Sequence, residues 1–304
     1  MRVVSLLPAA TEIVCAIGAR DQLVAISHEC DWPPEVAQLP RVTTTPIDVS
    51  QPGAMIDAEV RAAREAGHPV IAVDAEAIRA LRPDVLLTQG LCEVCAVADG
   101  EVRRVAELID PEPRIVSLGG RDLAGIWRDV RAVGELLALD PAAQALVRRL
   151  RTRLVLLESA TPPLAERRRV AVVEWLDPVY LGGHWVPELV RAAGGTYVGA
   201  APGDHSRETT WTEVAALEPA TVVIALCGFG IDRAVRELEQ VTDPAALALL
   251  SRVPIWVLDG NAYTTRPGPR VVDGAERLRA MILDHQLPGM MRWTPAASGA
   301  APLA

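Results

Sequence analysis

Leu81-Arg82-Pro83-Asp84-Val85-Leu86-Leu87 and Leu217-Glu218-Pro219-Ala220-Thr221-Val222-Val223 are two versions of one pattern in the two halves of the chain. Each closes a short helix, passes through a proline that cannot continue it, and enters a short apolar run of buried-strand type. Each strand then runs into a loop that carries a cysteine, Leu91-Cys92 in the first half and Leu226-Cys227 in the second. Working outward from the first copy, Val3 to Leu7, Gln22 to Ser27, Val70 to Val73, Val85 to Thr88 and Arg114 to Leu118 read as strands. Helices at Thr11 to Ile17, Ile56 to Ala66, Ala75 to Leu81 and Val102 to Leu108 alternate with them. That alternation predicts an α/β layer with a mainly parallel sheet.

The middle of the chain has a different pattern. Leu123, Ile126, Trp127, Val130, Val133 and Leu137 repeat at helical spacing, and Asp140-Pro141 is a strong helix start. Leu146, Val147, Leu150, Leu154 and Leu157 continue that second helix to Ser159, before Thr161-Pro162-Pro163. Its length would be about 28 Å at 1.5 Å per residue. A second α/β series begins at Val170. The reading is therefore two Rossmann-like lobes, residues 1–120 and 166–286, joined by a long backbone helix within residues 121–165. An irregular tail over residues 287–304 follows. Two such lobes on one helix would leave a cleft, and ligands in these sheets sit beyond the carboxyl ends of the strands.

Composition narrows the function. The 304 residues carry a net charge of −9, which argues against nucleic-acid binding. All 30 basic residues are Arg, so Schiff-base and P-loop lysines are excluded. No apolar run approaches the roughly 20 residues of a membrane span, so no membrane insertion is expected. Met1-Arg2 leads straight into the first apolar run without a signal-type core, so the expected compartment is the cytoplasm and the thiols are expected to be reduced.

The loops after the strands concentrate unusual side chains. They hold His28, Glu29, Cys30 and Trp32; Gln89, Cys92 and Cys95; Trp175 and Tyr180; His184 and Trp185; Cys227 and Phe229; and Tyr263 and Arg266. Aromatics make up only 4% of the chain, so their gathering in these loops points to a large planar ligand stacked on them. Cys92-Glu93-Val94-Cys95 has CxxC spacing, but a structural zinc site would want a second pair, which the sequence lacks. Pocket-lining thiols are the favoured reading, and no resident metal is expected. No GxSxG string or spaced carboxylate pair indicates a hydrolase. Glu12 and Glu188 each open a helix, where helix-dipole stabilisation accounts for them.

Longer strings carry a family resemblance. Val4-Ser5-Leu6-Leu7-Pro8-Ala9-Ala10-Thr11-Glu12 resembles the opening of mature vitamin B12 and iron-siderophore binding proteins of ABC importers. So do Asp31-Trp32-Pro33-Pro34, Thr210-Trp211-Thr212-Glu213-Val214 and Arg266-Pro267-Gly268-Pro269-Arg270. His28-Glu29-Cys30-Asp31, Leu91 to Val97, Glu174-Trp175-Leu176-Asp177-Pro178, Gly183-His184-Trp185 and Cys227-Gly228-Phe229 are similar to chains called cobalamin-binding proteins. The resemblance spans roughly residues 1–286. It implies a rigid helical connector, a corrinoid such as cobalamin held by aromatic and polar loop residues, an ABC permease as a possible partner, and a monomer without catalysis. The alternatives are an iron-siderophore or haem-like chelate as ligand, or a cytosolic cysteine-dependent corrinoid-handling or redox enzyme.

Overall fold

The computed structural model describes residues 1–90, 97, 99–163 and 166–294. It forms two compact units: unit 1 is Met1–Thr152 with Arg266–Pro269, and unit 2 is Arg153–Thr265 with Arg270–Ala304. Each has an α/β fold.

Unit 1 contains β1 (Val3–Ser5), α1 (Pro8–Ala16), β2 (Leu23–Ile26), β3 (Thr43–Thr44), α2 (Gly53–Glu65), β4 (Ala72–Val73), α3 (Ala75–Leu81), β5 (Val85–Gln89), α4 (Asp99–Glu107), β6 (Arg114–Leu118) and α5 (Leu123–Leu136). The main sheet has the order β2-β1-β5-β6, and every neighbouring pair is parallel. Its strands are short apolar runs because both faces are covered. Val4, Leu6, Ala25, Ile78, Leu86, Val102 and Ala106 form one buried cluster on this sheet. Parallel strands end together, so Ser5, Ile26, Gln89 and Leu118 mark a single edge. The expected strand Val70 to Val73 shrinks to β4, which pairs with β3 antiparallel in a separate ribbon. The helix expected from Thr11 begins at Pro8, whose missing N–H is tolerated in a first turn.

Asp122 caps α5 by accepting the Gly125 N–H at 2.6 Å. α6 (Asp140–Ser159) is one continuous helix of 20 residues, with the predicted bounds. Ala143, Leu146, Val147, Leu150 and Leu154 are its buried face. A Cβ at Gly134 would stand 2.3 Å from the Ala143 Cβ, so glycine permits the close approach of α5 to the start of α6. The division between the units falls within α6, after Thr152.

Unit 2 continues with β7 (Arg169–Leu176), β8 (Val179–Leu181), α7 (Val186–Ala192), β9 (Thr196–Tyr197), β10 (Arg207–Thr209), α8 (Trp211–Ala216), β11 (Thr221–Ile224), α9 (Ile231–Glu239), α10 (Pro244–Leu250), β12 (Ile255–Leu258), α11 (Gly260–Tyr263), α12 (Val271–Ile282) and β13 (Met290–Trp293). Its sheet runs β10-β8-β7-β11-β12-β13, with β9 beside β7. β7, β9, β11 and β12 are the expected parallel centre. β8, β10 and β13 add antiparallel flanks. The irregular tail expected from residue 287 is corrected by β13, whose register sets Met290 opposite Leu258. That pairing covers the β12 edge, which would otherwise leave backbone groups open.

The internal repeat is visible in the backbone. Arg82 and Glu218, the residues before the two matched prolines, share the left-handed conformation at φ 45. Both helices end this way because a residue before proline is disfavoured in the helical region. No helix among the described residues is long and apolar enough to cross a membrane.

Candidate functional site

In unit 1 the loop after β2 carries four of the predicted residues. The His28 backbone N–H donates to Thr43 Oγ1 at 2.9 Å, and the same oxygen lies 2.7 Å from His28 Nδ1. The Arg41 guanidinium donates to the carbonyl oxygens of Ser27 and His28. Burial, and then the Arg41 charge, hold the His28 pKa below its ordinary value, which keeps the ring neutral at pH 7. Cys30 is fully buried, with Sγ 3.1 Å from Thr11 Oγ1. Thr11 in turn donates to Ser5 Oγ at 2.8 Å. Burial pushes the Cys30 thiol up to about 11. Trp32 is 45% exposed, so much of its ring is open to solvent. Gln89 closes β5 opposite Leu118. Cys92 and Cys95 lie outside the described residues.

Arg266 joins this loop by an ion network that the sequence does not announce. Its guanidinium donates to Glu12 Oε1 at 3.2 Å, to the Asp31 carboxylate at 3.2 Å through Nη2 and more closely through Nη1, and to the Glu29 carbonyl at 3.1 Å. Arg266 is 8% exposed and Glu12 4% exposed. Burial opposes the charge on Arg266, but the Asp31 and Glu12 carboxylates outweigh it and raise the guanidinium pKa above its ordinary value. Neither Glu12 nor Asp31 is marked by its local sequence as part of the site. Nothing local ties Arg266 to a partner 254 positions away.

In unit 2, Trp175 and Tyr180 lie in β7 and β8 rather than in loops, which corrects the sequence expectation. β8 turns back along β7 and sets Tyr180 opposite Trp175. The Trp175 and Phe229 rings are 5.3 Å apart and tilted, and the Arg233 guanidinium lies 4.3 Å over Phe229. Arg233 Nε also donates to Glu237 Oε1 at 3.0 Å. Trp175 Nε1 is buried without a hydrogen-bond partner among the described residues. Glu174 accepts the Ser206 hydroxyl at 2.7 Å, and its carbonyl accepts the Cys227 N–H at 3.0 Å. Tyr180 donates to Glu208 Oε2 at 2.8 Å.

His184 takes a left-handed backbone, φ 54, that few residues other than glycine adopt. Its N–H donates to the Asp204 carbonyl at 2.6 Å, and its own carbonyl accepts from Gly203 at 2.9 Å. A Cβ at Gly183 would fall 2.4 Å from the Ser206 nitrogen, so this junction requires glycine. His184 meets the exposed His205 edge to face at 5.1 Å; sequence reading passed over His205. Trp185 is 4% exposed, and its Nε1–H donates to the Thr264 carbonyl at 2.8 Å. The Tyr263 ring lies under Arg277 at 3.8 Å. The structure thus brings together Trp175 with Phe229, and His184 with Trp185, within unit 2; in unit 1 it brings His28, Glu29, Cys30 and Trp32 onto one loop with Arg266. Cys30, Trp185, Phe229 and Arg266 are buried rather than presented. No group of three or more His, Cys, Asp or Glu that could hold a metal ion occurs among the described residues.

The state of Cys30 gives a direct expectation. Native protein treated with iodoacetamide at pH 8 leaves Cys30 unmodified, and urea exposes it, as read by peptide mass spectrometry. A thiol raised to about 11 is protonated at that pH and is also buried. Modification of the native protein at the rate of a free thiol contradicts this environment.

A family model for periplasmic binding proteins matches residues 3–247. A vitamin B12-binding protein of Vibrio cholerae serotype O1 is 23% identical over 278 residues, covering 91% of this chain and 87% of that protein. Among solved structures, a periplasmic haem-binding protein from Pseudomonas aeruginosa aligns with a TM-score of 0.68 at 20% identity, over 97% of this chain and 99% of that one. The periplasmic vitamin B12 binding protein of Vibrio cholerae aligns with a TM-score of 0.65 at 22% identity, over 93% and 96%. At these identities the structural likeness speaks for the fold. The match of the family model over most of the chain assigns it directly: this chain belongs to the periplasmic binding protein family.

Proposed function

We propose that this chain is a non-catalytic binding protein for a corrinoid, with cobalamin as the ligand and an ABC permease as its partner. The observation that carries the reading is the set of aromatic rings at the strand ends: Trp32, 45% exposed in unit 1, and the tilted Trp175–Phe229 pair in unit 2. Planar faces with few mobile torsions suit a large, flat macrocycle. The vitamin B12-binding relative, aligned over 91% of the chain, supports the same ligand. The proposed contacts are Trp32, Glu29, Gln89, Trp175, Tyr180, His184, Cys227 and Tyr263, with the buried Phe229 backing the Trp175 ring and with His28 and the buried Cys30 shaping the loop that carries Trp32.

A second reading, a haem-like or iron-chelate ligand, is favoured by the haem-binding structural neighbour. Cys30 itself would be a poor nucleophile for a cysteine-dependent enzyme, because burial pushes its thiol up to about 11. The protein is further proposed to act as a monomer in the cytoplasm; light scattering checks the oligomeric state and cell fractionation the compartment.

Calorimetric titration with cyanocobalamin and cobinamide tests the ligand. Binding should release or absorb measurable heat and raise the melting temperature, because ligand at 100 times its Kd stabilises by about 2.7 kcal/mol. Neither heat nor stabilisation with either corrinoid, well into the micromolar range, ends the reading. Tight binding of hemin without corrinoid binding selects the alternative.

A further inference from the structure

Arg266 sits against the loop that displays Trp32, where a guanidinium would ordinarily attract an anionic ligand group. Here its donors are directed to protein acceptors: Glu12, both oxygens of Asp31 and the Glu29 carbonyl. Two carboxylates, the buried Glu12 and the half-exposed Asp31, stand on one guanidinium, so this cluster carries a net negative charge. The Glu29 carboxyl is a further acid on the same loop. Arg41, exposed, is turned to the backbone carbonyls of Ser27 and His28. His28 adds no charge at neutral pH, for the reasons given above. In unit 2 the same economy holds at the aromatic pair, where Arg233 is bonded to Glu237 and packed on Phe229, while Glu174 stands on β7 and Glu208 on β10 of the same sheet.

We propose that Glu12 and Asp31, by compensating Arg266 in place, set the charge class of the ligand: the site accepts a macrocycle rimmed by neutral amides and rejects one rimmed by carboxylates. This inference rests on the corrinoid reading and adds the feature that selects among macrocycles of one shape. A carboxylate brought to the Trp32 loop meets unbalanced like charge in a partly desolvated setting and gains no guanidinium fork. An amide group meets carboxylate and carbonyl acceptors that its N–H groups can satisfy.

The test compares cyanocobalamin with the polycarboxylic acid made by hydrolysing its peripheral amides, two ligands of nearly one shape and different charge. Titrations at low salt use the wild type, Asp31→Asn and Asp31→Glu. Asp31 is chosen because its side chain is 51% exposed, and its neutralisation leaves the buried Arg266 still paired with Glu12. The wild type should prefer cyanocobalamin by about tenfold or more, in line with one or two unscreened like-charge contacts near a protein surface. Added salt should narrow the preference. Asp31→Asn should reduce the ratio of the two affinities by several fold, whereas Asp31→Glu, which keeps the charge, should hold it. Melting curves confirm that each variant is folded. Equal affinities in the wild type overturn the inference, as does a ratio unmoved by Asp31→Asn or moved equally by Asp31→Glu. Absence of cyanocobalamin binding to the wild type overturns the corrinoid reading itself, and the charge inference falls with it.

Discussion

Replacing Arg266 with methionine lowers the stability of unit 1 by about 3–5 kcal/mol, the cost of removing one partner from a buried ion pair. The reason lies in what stays behind. Glu12 is 4% exposed and faces Arg266 at 3.2 Å. Methionine fills much of the space but leaves that carboxylate desolvated without its counter-charge. Asp31, half in solvent, recovers water and contributes little to the loss. A second substitution, Glu12→Gln, removes the stranded charge and should recover part of the stability. Hydrogen exchange locates the effect: amides of α1 and of the Ser27–Trp32 loop should exchange faster, while those of α7 in unit 2 keep their protection. A loss under about 1 kcal/mol would mean that water reaches Glu12, because a solvated pair is worth only that much.

How much of this was legible in the sequence depends on the range of each signal. The repeated helix-Pro-strand unit is local, and both copies fold as read; the structure adds a shared left-handed residue before each proline. The 20-residue α6 was equally plain, because Asp140-Pro141 opens it and an apolar stripe runs its length. β8 and β10 have three residues each, too few for an alternating pattern, and their edge pairing is decided by tertiary contact. β13 was hidden in the same way by its Pro- and Gly-rich flanks.

The candidate residues divide along the same line. Residue type found Trp32, Trp175, Phe229 and His184, because bulky aromatics and imidazoles are rare in this chain, although Trp175 proved to lie in a strand and not in a loop. They could not say which of these the fold would cover. Cys30 turned inward because Thr11 offers its sulfur a hydroxyl partner. Arg266 was assigned to ligand because Glu12 and Asp31 are more than 230 positions away from it, and the sequence gives no sign of such pairing.

Trp185 is the sharpest instance, and its substitution is the second large effect expected. A tryptophan beside Gly182-Gly183 and His184 reads as a stacking platform, yet the ring is 4% exposed and its Nε1–H donates to the Thr264 carbonyl at 2.8 Å. Trp185→Ala should therefore destabilise unit 2 by about 3–5 kcal/mol, the usual cost of truncating a buried aromatic. Trp185→Phe keeps most of the packing but leaves the Thr264 carbonyl without this donor, for a loss of about 1–3 kcal/mol. Trp32→Ala should do the reverse: its ring is 45% exposed, so the melting temperature should scarcely move while corrinoid affinity weakens by about 1–3 kcal/mol. Thermal melts and titrations on the three variants separate the roles. Should Trp185→Ala keep the wild-type melting temperature and lose only affinity, Trp185 would be a ligand contact and its place in the core would be wrong. The structure predicts the opposite order, because Nε1 of Trp185 is already bonded inside unit 2, and a ring so covered has little face left to offer a macrocycle.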